Sequence, residues 1–109
     1  MAWTINFIPK VRRELKKLDK KDSKAILNFL EKEVLLLSDP REKAIPLKEN
    51  LRKFWKFRVG QFRIIADIQE YKLLILVVRI ANRKDVYKNF KAPQKAQKIV
   101  SFSNLKNRK

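Results

Sequence analysis

A chain of 109 residues with 28 lysines and arginines against 11 aspartates and glutamates carries a formal charge of +17, and it contains neither histidine nor cysteine. Those absences exclude disulfide frameworks, thiolate catalysis and the commonest metal ligand and acid–base group, while 45% hydrophobic residues suffice for one folded core. Residues 1–50 hold +4 of the charge, residues 51–90 hold +7 and residues 91–109 hold +6, so the second half is built to face a polyanion, either nucleic acid or an acidic membrane or protein surface. A plain solvated basic surface is the bland alternative. The longest apolar run is too short to span a bilayer and the N-terminus lacks the basic-then-apolar order of a signal peptide, which points to a soluble cytoplasmic protein with no membrane partner.

In chain order, "WTINFI" alternates apolar and polar residues and predicts a strand over residues 3–7. Pro9 then suits the first turn of a helix, whose apolar stripe is Val11, Leu15 and Leu18. "DKKDS" restarts the chain, with Asp22 or Ser23 as the expected N-cap of a second helix striped by Ile26, Leu27, Leu30, Val34 and Leu37 and stopped by "SDP". The two helices form a hairpin expected to cover one face of a sheet. After a linker with Pro46 and Leu47, the period changes from 3.6 to 2: "RKFWKFRV" alternates cations with aromatic residues, "QFRIIADI" alternates less cleanly, and "LLILVVRI" reads as the central strand, covered on both sides. Residues 82–90 read as a polar turn or short helix. Residues 91–109 form a basic tail without an acid, with Ile99, Val100 and Phe102 as a weak anchor. The expected organisation is one domain over 1–90 and the tail over 91–109.

"RVGQFR" holds the single glycine of the chain. Gly60 and Gln61 at the corners of a two-residue hairpin place Val59 opposite Phe62 and Arg58 opposite Arg63. Trp55, Phe57, Val59, Phe62 and Ile64 then share one face, and Lys56, Arg58 and Arg63 share the other. Like charges opposite one another oppose stability, so the register makes sense where an anion such as phosphate sits between them; long basic side chains splaying into water are the alternative. "ANRKDVY" brings Arg83, Lys84 and Tyr87 to a strand end, adding cations for phosphate and a ring for a base, the chemistry of single-stranded RNA recognition.

"LRKFWKFRVGQFRIIADI" followed by "LLILVVRIANRKDVY" resembles the RelE-type toxins of the RelE/ParE toxin-antitoxin superfamily, over roughly residues 3–90. The resemblance implies an α+β, microbial-RNase-like fold: an N-terminal strand and helical hairpin packed on a mainly antiparallel sheet, with a short C-terminal helix. It also implies a type II toxin that cuts mRNA on the ribosome without metal or other cofactor, is silenced by a cognate antitoxin, and meets DNA only through that antitoxin. Residue by residue, Lys56 matches a catalytic basic position, Arg58 another, Arg63 the arginine holding the scissile phosphate, Arg83 the one assisting the leaving group, and Tyr87 the nucleotide-stacking aromatic. Lys53 and Lys84 are added as RNA-binding cations. Without histidine, Lys56 is the candidate base for the 2′-hydroxyl, since cationic neighbours favour its neutral form. Two departures stand out: Ala81-Asn82 replaces a Gly-His of many relatives, and Arg58 replaces a frequent lysine. The alternatives are a ParE-like inhibitor of DNA gyrase and a non-catalytic RNA-binding protein.

Overall fold

The computed structural model describes residues 2–90 and 100–102. Strand β1 (Thr4–Phe7) buries Ile5 and Phe7, as the alternation requires, and Pro9 opens helix α1 (Pro9–Lys16), which buries Val11 and Leu15. Helix α2 (Lys20–Phe29) begins earlier than expected, with Asp19 and not Asp22 or Ser23 at its N-cap. The reason is local: the Ser23 hydroxyl donates to the Leu15 carbonyl oxygen (2.9 Å) at the end of α1, tying the two helices together instead of capping the second. A wide π turn over Leu30–Val34 extends α2, and Ile26, Leu30 and Val34, four residues apart, are fully buried.

The sheet has the order β2-β3-β4-β5-β1-β6, where β2 is Ile45–Pro46, β3 Phe54–Val59, β4 Phe62–Gln69, β5 Leu74–Asn82 and β6 Val100–Ser101. β1 runs parallel to β5 and every other pairing is antiparallel. The result is the expected α+β architecture, with "LLILVVRI" inside the sheet. Two pairings were not anticipated. The linker at Ile45–Pro46 adds an edge strand against Trp55 and Lys56, and within the basic tail Val100–Ser101 pairs with β1 while the Phe102 ring stacks on Phe7 at 5.9 Å. Residues 83–89 are consecutive turns, the first of the two forms expected for this stretch, and form no C-terminal helix there; Ile99 lies outside the described residues.

The β3–β4 hairpin has the register that its sequence dictates, with Arg58 opposite Arg63 and Val59 opposite Phe62. Gly60 has φ +57° and Gln61 does not enter the left-handed region, the signature of a II′ turn with glycine at its first corner. Phe57 and Ile64 face the helices, where Phe29 meets Phe57 edge-on with centroids 6.1 Å apart. The opposite face is less open than the alternation suggests. Phe54 and Ile65 share it with Lys56, Arg58 and Arg63 and are buried, because the chain after β5 folds back over them and sets Phe90 edge-on to Phe54 at 5.7 Å.

A β-bulge divides β5. Ile65 pairs with Arg79 but Ala66 pairs with Val77, leaving Val78 as the extra residue. The bulge lets Val77 and Ile80, three apart in sequence, both lie on the helix-covered face, and it turns Arg79 onto the face of Lys56.

A β-carbon at position 60 would meet nothing within 4 Å, so Gly60→Ala carries only the penalty of a positive φ, about 1–3 kcal/mol. Urea denaturation should show that loss with an unchanged m-value.

Candidate nucleic-acid interface

Two rows of side chains cross the sheet on the face opposite the helices. Near the turn lies Arg58–Arg63–Ala81, and beside it Lys56–Ile65–Arg79. Arg58 is exposed, whereas Lys56 and Arg63 are half-buried. The repulsion between the paired arginines is relieved from within: Arg63 Nη1 donates to the carbonyl oxygens of Gly60 (3.0 Å) and Phe62 (2.9 Å). The turn therefore aims Arg63 as well as pairing it. A guanidinium has five N–H donors, so the Nε and Nη2 hydrogens remain for an anion.

The third contribution comes from the turns after β5. The Arg83 amide donates to the Gln61 carbonyl oxygen at 2.7 Å, fastening this segment to the hairpin tip. Asn82 Oδ1 accepts from the Lys84 amide (2.9 Å), and the Asn82 carbonyl oxygen from the Asp85 amide (2.8 Å). Asparagine here thus shapes the bend that projects the exposed Arg83 and Lys84. Two positions on, Tyr87 is 48% exposed and its ring centroid lies 5.8 Å from Lys56 Nζ. Lys56, Arg58, Arg63 and the Tyr87 ring accordingly belong to one end of one face, and the Arg83 backbone is fastened to that same end. Lys53 does not join them: it lies at the other end of β3, 3.9 Å from Asp67 and over the Phe54 ring.

Two charged residues absent from the sequence reading underlie the site. Glu14 Oε1 accepts from the Ile80 amide at 2.8 Å, on the stretch of β5 that β1 leaves unpaired, and Glu14 Oε2 meets Arg79 Nη1 at 3.4 Å. Arg79 Nη2 donates in turn to the carbonyl oxygens of Asp85 (3.0 Å) and Lys88 (3.2 Å). Both side chains are nearly buried, 15% exposed for Glu14 and 12% for Arg79. The available signals were a lone acid among the cations of α1 and a lone charge inside an apolar strand.

A family model described as the ParE toxin of the type II toxin-antitoxin system, parDE, matches residues 5–87. The chain belongs to this family. Toxin RelG of Mycobacterium tuberculosis (strain ATCC 25618 / H37Rv) is 26% identical over 88 residues, covering 81% of this chain and 99% of the relative. Among solved structures, the toxin-antitoxin complex RelBE2 from Mycobacterium tuberculosis matches with a TM-score of 0.70 at 23% identity, over 76% of this chain and 100% of that one. The archaeal RelE–RelB complex from Pyrococcus horikoshii OT3 matches with a TM-score of 0.56 at 23% identity, over 76% and 97% of the two chains. The protein is thus a type II toxin of the RelE/ParE superfamily, and the matched segment runs from β1 through Tyr87, so it contains the whole basic face.

Burial raises the Glu14 carboxyl above the ordinary glutamate value of 4.5, although the Ile80 amide and the charges of Arg79, Lys10 and Lys17 all pull it down. Between that value and the raised one, the folded state keeps a proton that the unfolded chain releases. Glu14 therefore costs stability progressively as pH rises above 4.5. Urea titrations of wild type and Glu14→Gln at pH 4 and pH 7 should show the wild type losing ground relative to the variant at the higher pH.

Proposed function

We infer that this toxin is an mRNA endoribonuclease, acting on the ribosome through the RNA's own 2′-hydroxyl and neutralised by a cognate antitoxin. The supporting observation is the meeting of β3, β4 and the post-β5 turns at one end of one face, where Arg58 and Arg63 are paired across the hairpin and Lys56 lies beneath the Tyr87 ring. Cations from three segments around an exposed aromatic ring suit a phosphodiester with its base stacked alongside.

In this mechanism the base of one nucleotide stacks on the outer face of Tyr87, which brings its ribose toward Lys56. Lys56 takes the 2′-hydroxyl proton as the 2′-oxygen bonds to the adjacent phosphorus. Arg58 and Arg63 hold the non-bridging oxygens, whose negative charge grows in the transition state. Arg63 is already oriented by the turn carbonyls, so little reorganisation is needed. The bond from phosphorus to the 5′-oxygen breaks, Arg83 stabilises the departing oxygen while it takes a proton from solvent, and the products are a 2′,3′-cyclic phosphate and a 5′-hydroxyl. Lys84 and, at the far end of β3, Lys53 would hold flanking phosphates.

The match to the ParE family model favours one second reading, inhibition of DNA gyrase. Induced expression separates the two. The ribonuclease should arrest growth and leave defined breaks within translated codons by primer extension. Arg83→Ala should relieve the arrest, and Arg63→Ala should slow cleavage by roughly 10²–10³-fold, the usual loss of one well-aimed donor. Intact messages together with inhibited supercoiling would replace the ribonuclease with the gyrase reading, and unaffected growth would remove both. The cognate antitoxin, expected to be a small acidic protein encoded beside the toxin, should restore growth on co-expression and co-purify with the toxin.

A further inference from the structure

The turns at 83–90 carry Arg83 and Tyr87 without belonging to a regular element, which raises the question of what fixes them. Their internal bonds among the described residues are few: Lys88 amide to Asp85 carbonyl (3.0 Å), Phe90 amide to Tyr87 carbonyl (3.3 Å) and an exposed ion pair between Lys88 Nζ and Asp85 Oδ1 (3.2 Å), with Asn89 in the left-handed region at φ +55°. Val86 is buried, and Phe90 packs on Phe54. Two apolar anchors define an axis, and a segment held only by those can still rotate about it. Tyr87 lies between them, so such a rotation would carry its ring toward or away from Lys56.

The bond from the Arg83 amide to the Gln61 carbonyl fixes the start of the segment, and Arg79 supplies the contacts off that axis on either side of Tyr87. Its Nη2 donates to two carbonyl oxygens, those of Asp85 and Lys88, which bracket Val86 and Tyr87. Arg79 is itself held from behind by Glu14, whose second oxygen is bonded to the Ile80 amide of the strand that bears Arg79. The planar fork matters here, since one guanidinium reaches a carboxylate on one side and two carbonyls on the other. A nearly buried ion pair is seldom retained for stability, because desolvation offsets the attraction. Arg79 Nε is buried with no hydrogen-bond partner among the described residues, a further cost of keeping an arginine here.

We propose that Glu14 and Arg79 are positioning residues: a clamp running from α1 through β5 to the 83–90 turns that holds Tyr87 over Lys56. The clamp is a statement about the fold; its effect on catalysis rests on the ribonuclease reading above. It explains how one helix on the edge of the sheet contributes to a site that it does not touch. It also gives the bulge at Val78 a purpose, since the bulge brings Arg79 to the face where the turns lie.

Amide hydrogen exchange tests the clamp apart from any activity. In Arg79→Met, exchange at the Lys88 and Phe90 amides should rise roughly tenfold or more, the value of a lost hydrogen bond to a charged group, while Ile65 and Ile75 in the sheet stay protected. If that variant fails to fold because Glu14 is left buried and unpaired, the double variant Glu14→Gln/Arg79→Met removes both charges and should show the same local release. Arg79→Lys, which keeps charge but not the fork, should restore protection only in part. For the site, Arg79→Met should weaken binding of a fluorescent single-stranded RNA oligonucleotide about tenfold, and Tyr87→Ala should cost less in that background than in wild type, as expected of coupled positions. Unchanged protection at 85–90 in a folded variant overturns the clamp. Lost protection with unchanged RNA affinity and cleavage overturns its positioning role. Lost protection in a chain whose wild type neither binds nor cuts RNA leaves the clamp standing and sinks the ribonuclease reading instead.

Discussion

Two arginines held side by side across a two-residue turn are the constraint around which this structure is arranged. Arg58 and Arg63 would separate if the backbone allowed it, since like charges in opposite positions oppose pairing. The strands keep them together because the other face of the hairpin, through Phe57 and Ile64, is locked into the helix-covered core, and because Gly60 makes the tight turn without strain. The carbonyls of that same turn then accept from Arg63 and steady it. Apolar burial on one side of the sheet thus underwrites a concentration of positive charge on the other, and the hairpin tip serves as the anchor for Arg83.

Charges in this molecule divide into two kinds with different physical roles. On the surface, Arg58, Arg83 and Lys84 are exposed and hydrated. Beneath them, Glu14 and Arg79 are nearly withdrawn from water and spend their hydrogen bonds on backbone groups of β5 and the 83–90 turns. The exposed set suits an anion arriving from solution; the withdrawn set shapes the ground on which the exposed set stands. Asn82, though uncharged, works alongside the second kind, as its side chain accepts from the Lys84 amide and bends the chain.

The hairpin register was legible because three independent signals agreed: a unique glycine, strict alternation on β3, and an apolar β4 that must face the core. The central position of β5 was legible from its continuous hydrophobicity. The bulge was not, since Val77 and Val78 are both apolar and both buried, and either could be the extra residue. β2 was hidden by its length of two residues and by Pro46, which argues against a strand unless it lies at an edge, as it does here. The N-cap of α2 was misplaced because Ser23 has another use, a bond to α1 that depends on how the helices meet. The Glu14–Arg79 pair shows the same limit: its partners are 65 residues apart in sequence, and only the fold brings them together.

Arginine supplies most of the cationic groups at the tip of this sheet, and a guanidinium keeps its charge at every pH a cell reaches. With no histidine in the chain, the attraction of that surface for polyanions has no acid-sensitive dial in the usual range. Its natural control is ionic strength. Mobile ions shorten the reach of surface charge to about 8 Å under physiological conditions and compete directly at each phosphate. Such a surface would therefore hold a polyanion much more firmly in dilute buffer than at physiological ionic strength.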